Sequence, residues 1–170
     1  GGNAAAHQAT ATSPTTVDPG VVVSQVSAGQ RGACATLDTG AVYCWGDDQN
    51  GRVGDGTQGG GNVTAPSMVV GLDGVQRVAL EVHTYHAHAC ALLDTGAVLC
   101  WGADNAGQLG DGGEFGPRVS AVPVTVQGLD GTSARAVALS VGVLTSCAVL
   151  DTGAMRCWGS DLVGQVGDGG

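Results

Sequence analysis

The sequence predicts an all-β fold built from three repeated blades, and three observations carry that prediction. The first is a thirteen-residue segment, Cys-Ala-x-Leu-Asp-Thr-Gly-Ala-x-x-Cys-Trp-Gly, that recurs at residues 34–46, 90–102 and 147–159 and holds all six cysteines and all three tryptophans. The second is the period: Cys34 to Cys90 spans 56 residues and Cys90 to Cys147 spans 57. The third is texture, with 31 glycines among 170 residues and no window carrying an amphipathic helical stripe. Several short strands in a unit of this length mark propeller blades rather than a helical solenoid.

The repeated segment reads as a β-hairpin. Its Asp-Thr-Gly loop ends in glycine, which accepts the left-handed backbone of a three-residue turn with a bulge. The turn residues are Asp38 and Gly40, Asp94 and Gly96, and Asp151 and Gly153. The loop length fixes the register: Thr36 faces Val42, Ala35 faces Tyr43, and Cys34 falls opposite Cys44. The same count sets Cys90 against Cys100 and Cys147 against Cys157, so three cross-strand disulfides are expected. Zinc thiolates usually come two to four residues apart, whereas nine residues separate these cysteines.

Around each hairpin the chain follows one plan. Residues 1–13 are small and polar and read as a flexible leader, with a strand donated to a neighbour as the alternative. Pro14, Pro66 and Pro123 then each precede a short β-branched run, and a second apolar run leads into the hairpin. Each Trp-Gly pair is followed by a glycine-punctuated tail: Gly51-Arg52-Val53-Gly54-Asp55-Gly56, Gly107-Gln108-Leu109-Gly110-Asp111-Gly112, and Gly164-Gln165-Val166-Gly167-Asp168-Gly169. On this plan the blade repeats are 14–56, 57–112 and 113–170.

The cysteine-alanine-leucine strand, glycine turn, Trp-Gly pair and Gly-Gln-Leu-Gly tail resemble the regulator of chromosome condensation (RCC) repeat, over residues 14 to 169. The resemblance implies four-stranded blades in a β-propeller, commonly of seven blades, and hence a partial propeller here. The paired-cysteine form is similar to that of exported bacterial proteins. The family's histidine two residues before the first cysteine is kept only as His88, with Gly32 and Thr145 elsewhere.

Six arginines, no lysine and fifteen acids give a formal charge of -9, a balance that a nucleic-acid duplex or an anionic membrane surface repels. No apolar run approaches the roughly 20 residues of a membrane span. Paired cysteines imply an oxidising compartment, so an extracellular or cell-surface location, or a periplasm, is expected, with any signal segment removed or lying outside these residues.

Few residues suggest chemistry. Asp-Thr-Gly matches an aspartic-protease nucleophile motif, yet its place at a hairpin tip in every copy explains it as a turn. His83, His86 and His88 form a candidate transition-metal cluster, set against a polar insertion at a blade edge. Asp47, Asp48, Asp55, Asp104, Asp111, Asp161 and Asp168 recur among glycines and are candidates for calcium, but they lack the alternating spacing of a calcium loop and read as turn formers. Phe115 and Arg118, raised on a glycine loop, are a possible contact point. Trp45, Trp101 and Trp158 are expected to pack the blades. No cofactor is required and no catalytic residue is assigned.

Both hairpin faces are apolar, as suits a sheet covered on each side by a neighbouring blade. Three blades form two interfaces and leave two outer faces over. A non-catalytic extracellular structural or adhesion module is therefore expected, self-associating through blade faces into a ring or filament. The alternative is a protein-binding or inhibitor module within a longer seven-bladed propeller.

Overall fold

A computed structural model describes residues 20–113, 116 and 118–169. Among the described residues, eleven strands form three antiparallel sheets. The first sheet, in spatial order, holds β1 (Val23–Ala28), β2 (Gly32–Leu37), β3 (Ala41–Asp47) and β4 (Asn62–Asp73). The second repeats this order with β5 (Ala79–Thr84), β6 (His88–Leu93), β7 (Ala97–Ala103) and β8 (Val119–Asp130). The third holds β9 (Ala136–Val141), β10 (Thr145–Leu150) and β11 (Met155–Gly159). No helix long and apolar enough to cross a membrane occurs among the described residues.

The hairpin register is the one the turn dictates: Cys34 pairs with Cys44, Ala35 with Tyr43 and Thr36 with Val42. The other two copies match, with Cys90 opposite Cys100 and Cys147 opposite Cys157. All three pairs are disulfide-bonded and no cysteine is free. Gly40, Gly96 and Gly153 have φ of 83°, 82° and 83°, the left-handed turn backbone that a side chain disfavours.

The sheets are out of phase with the sequence repeats. Strand β4 begins the repeat at 57–112 in sequence, yet it pairs with β3 and closes the first blade; β8 likewise closes the second. Four strands were expected in every blade, but the third sheet holds three among the described residues. In the first two blades the outer strand comes from the segment after the blade's tail. Both outer strands carry a proline, Pro66 or Pro123, which an edge strand tolerates because no ladder bond is lost on its open side.

The core lies between blades rather than within one. Cys34, Val42, Cys44, Val53, Val69 and Leu72 of the first blade pack against Val82, Ala91, Leu93, Leu99 and Trp101 of the second. The next seam joins Cys90, Leu92, Val98, Cys100, Leu109 and Leu129 to Leu139, Ala148, Leu150 and Trp158. The stacking is therefore directional, because the cysteine face of each blade always meets the alanine, leucine and tryptophan face of the next. Each disulfide closes a short loop, and Cys34–Cys44 and Cys90–Cys100 lie in the two seams; the loop closure contributes about 3 kcal/mol on the chain-entropy account. Replacing Cys90 and Cys100 together by alanine is expected to lower the unfolding free energy by about 3 kcal/mol or more, read as a fall in the denaturant midpoint.

Candidate functional site

The blade seam is the recurring site of this molecule, and a tryptophan and a tail build it. Trp101 Nε1 donates to the carbonyl of Arg52 at 2.9 Å, and Trp158 Nε1 donates to the carbonyl of Gln108 at 3.0 Å. Each indole lies on the tail of the blade before its own. A Cβ on Gly54 would stand 2.7 Å from Trp101 Nε1, and one on Gly110 would stand 2.6 Å from Trp158 Cδ1. Glycine is required there twice over, since φ is 77° and 66°.

Aspartates shape the tails. Asp48 Oδ1 accepts the amide of Val53 at 3.1 Å, Asp104 Oδ1 that of Leu109 at 3.0 Å, and Asp161 Oδ1 that of Val166 at 2.8 Å. Burial pushes the Asp48 and Asp104 carboxyls above the usual carboxylate range, against the pull of these amides. Backbone donation from Gln49, with Arg31 and Arg52 nearby, holds Asp47 below that range. Arg52 stands where the other tails have glutamine. It is buried, 3.3 Å from Asp47, and its Nη1 donates to the His86 carbonyl at 2.6 Å. Sequence reasoning assigned it no role; the substitution of arginine in a glutamine position was the available signal.

The three histidines do not converge. His83 lies on β5, 3.4 Å from Glu81, while His86 is in the following loop. His88 on β6 is buried, with Nε2 2.8 Å from Ser146 Oγ of the third blade. A serine at this distance from a histidine has the look of a nucleophile and base. However, both side chains are buried and His88 Nδ1 has no hydrogen-bond partner among the described residues, so no described carboxylate orients the ring. It is a seam contact, and Ser146 carried no sequence signal. Among the described residues no three His, Cys, Asp or Glu side chains are grouped to hold a metal. Arg118 is engaged by Asp104 at 3.2 Å and Asp111 at 2.9 Å. Phe115, the leader 1–13 and Pro14 lie outside the described residues.

At the two ends the seam is half built. Trp45 makes no bond equivalent to those of Trp101 and Trp158 among the described residues. Val26, which pairs with Ala35, is 63% exposed, whereas the equivalent Val82 and Leu139 are 0% and 7% exposed. On the opposite face, Val149 and Met155 are 41% and 67% exposed, against 2% and 0% for Leu92 and Val98 in the second blade. One end thus exposes Val26 beside Ala35, Leu37 and Ala41, which are themselves buried, and the other exposes Val149 and Met155 beside the half-buried Cys147 and Cys157, so the two ends are unlike.

Blades stacked in this order, with tryptophan on tail, define a β-propeller repeat protein. Models of the regulator of chromosome condensation (RCC1) repeat match residues 23–52 and 136–165, and 39–92 and 95–149, and the chain belongs to that family. It is 34% identical over 149 residues to the human E3 ubiquitin-protein ligase HERC2, covering 86% of this chain and 3% of that protein. It is 31% identical over 147 residues to the mitochondrial RCC1 domain-containing protein RUG3 of Arabidopsis thaliana, covering 86% of this chain and 31% of that protein. The chain thus spans less than a third of each of these relatives. Yeast RCC1 (Prp20), solved with Kap60 bound, superposes with a TM-score of 0.69 at 19% identity, over 81% of this chain and 32% of that one. Human WBSCR16 superposes with a TM-score of 0.52 at 20% identity, over 87% and 50%.

Two outcomes follow for the seam. Gly110→Ala is expected to cost at least about 2 kcal/mol in an unfolding titration, whereas Gly59→Ala, with φ of 76° and open space around it, shows the backbone cost of about 1 kcal/mol alone. His88 is held at about 4 by burial and by the charge of His86, below the 6.5 of an exposed imidazole. Between those values the unfolded chain binds the extra proton, so stability is complete above pH 6.5 and falls as pH drops toward 4. The expected loss is about 3 kcal/mol, and His88→Gln removes that slope from the plot of unfolding free energy against pH.

Proposed function

We propose that this chain is a non-catalytic, protein-binding propeller module that acts outside the reducing cytosol, at the cell surface or in the extracellular or periplasmic space, and that copies of it associate through their end faces. The observation that carries the reading is the pair of unlike, half-built seams at the two ends. A self-complementary dimer would set like face on like face; these ends instead suit a head-to-tail contact, which closes to a ring or runs on as a filament. Three buried or half-buried disulfides with no free thiol support an oxidising location.

A second reading has its own support. The superposition on yeast RCC1 covers about a third of that chain, so the three blades suit one arc of a longer closed propeller whose rim loops bind a protein. The yeast protein is described with binding properties to Gsp1p and histones. An acidic chain with a formal charge of -9 is poorly matched to nucleic acid, and a protein partner is the better fit.

Light scattering on the non-reduced 170-residue chain tests the first reading. The expected result is a mass that rises with concentration in multiples of one chain, at physiological ionic strength so that the like charges are screened. A single-chain mass at every concentration overturns self-association and leaves the arc of a longer propeller.

A further inference from the structure

We propose that the second blade carries, on the face where β5 turns into β6, a binding site for one unit of a neutral sugar. The site is a cavity of about 290 Å³ at which residues of all three blades meet. It is built without the exposed end residues Val26, Val149 and Met155, so it stands apart from self-association.

Register shows why a cavity opens here. Ala87 and Ala103 both line it. Ala103 donates its amide to the Ala87 carbonyl at 2.9 Å, as Asp47 does to Arg31 and Ser160 to Leu144, so these pairs hold matching places in the three blades. In the first blade that place carries an ion pair, with Arg31 Nη1 at 3.0 Å from Asp47 Oδ2. The second blade has two methyl groups instead, and the room that the ion pair takes in the first is left to a ligand. Val119 and Leu144 add apolar surface.

Polar surface comes from Asn50, His86, Asn105 and Arg118, and most of it is braced. Arg52 Nη1 donates to the His86 carbonyl at 2.6 Å and the Gln30 amide donates to the Tyr85 carbonyl at 3.1 Å, which holds the 85–87 connection from two sides. Asn105 Oδ1 accepts from Gln108 Nε2 at 3.0 Å, leaving the amide NH2 as a donor. Arg118 is held by Asp104 at 3.2 Å and Asp111 at 2.9 Å. A site braced in this way loses little freedom on binding. The buried Arg52, placed where the other tails have glutamine, thus serves to position the wall that His86 supplies.

Charge and hydrogen bonding select the ligand. Two carboxylates balance Arg118 and the chain carries a formal charge of -9, so an anion gains little here. Amides and a neutral imidazole both donate and accept, as sugar hydroxyls do, while the alanine, valine and leucine surface suits the C–H face of a pyranose ring. Ligand pockets run upward from about 300 Å³, so this one takes a single ring. Next to His86, Tyr85 is 45% exposed, the only aromatic among the exposed large apolar side chains of the described residues. Gly29 and Gly142 begin the same three-residue connection in the other blades. A phenol ring, apolar in its body and polar at its tip, offers a second surface to the next sugar of a chain.

The experiment titrates the full 170-residue chain, with saturation-transfer NMR on the ligand and side-chain amide shifts of Asn50 and Asn105 as readouts. The neutral probes are the methyl glycosides of glucose, galactose, mannose and N-acetylglucosamine; the acidic probes are glucuronate and a capped aspartyl dipeptide. Ala87→Arg/Ala103→Asp rebuilds the first blade's ion pair inside the cavity, and Asn50→Ala, at a half-buried position, removes one amide without filling it. The expected result is that at least one neutral glycoside shifts both amides with a dissociation constant in the low millimolar range, that the double variant abolishes its signal, and that Asn50→Ala weakens it by at least about fivefold. If the double variant does not fold, Asn50→Ala alone decides. The site is overturned if no neutral glycoside moves the amides, if binding is the same in Asn50→Ala as in wild type, or if only the acidic probes bind.

Discussion

A sheet that is apolar on both faces has to be covered on both, and the rest of this structure follows from that constraint. A blade alone would leave both apolar faces in water; its partner is the next blade, and the contact is made by unlike surfaces. Because the cysteine face of one blade always meets the tryptophan face of the next, the stack has a direction. The indole then serves two purposes at once, filling the seam with its rings and satisfying the tail carbonyl with its N–H. That fit is what demands glycine at Gly54 and Gly110, and the tail turns that present those glycines are held in turn by Asp48 and Asp104.

The polar groups in the seam follow the same logic. His88 is held neutral by burial and spends one nitrogen on Ser146 across the blade boundary, while Arg52 is tied by Asp47 and the His86 carbonyl. Each links parts of two blades, so a local loss of packing at one seam also uncovers a titratable group. The third disulfide, Cys147–Cys157, sits in a sheet whose outer face exposes Val149 and Met155, and there the covalent link holds a hairpin that has a neighbouring blade on one side only among the described residues.

Much of this architecture was legible in the sequence. The Asp38-Thr39-Gly40 loop fixes the hairpin register by its length, so the Cys34–Cys44 pair and the faces of Ala35, Thr36 and Val42 follow from counting. The phase of the sheets was not legible in the same way. Nothing local to residues 62–73 says whether they close the blade behind or open the blade ahead, because a strand's apolar pattern fits either edge. That choice is settled by which β3 or β7 edge is within reach after the tail has turned. The role of Trp101 as a bridge to Arg52, and of His88 as a bridge to Ser146, depends on residues 49 and 58 positions apart that only stacking brings together. The threefold aspartates were visible as turn formers, while Arg52 was hidden by being the exception to its own motif.

The disulfides have a mechanical consequence as well. Tension applied along the chain would run through each blade from its inner strand to its outer one, opening hydrogen bonds one after another. The bridge between β2 and β3, and its two counterparts, joins cysteines 10 positions apart, so the hairpin turn is short-circuited and never bears load. At about 3.5 Å per extended residue, each bridge withholds roughly 35 Å of contour length. A row of such blades would lengthen under pull in shortened steps, with the hairpin at the heart of every blade kept closed for recoil.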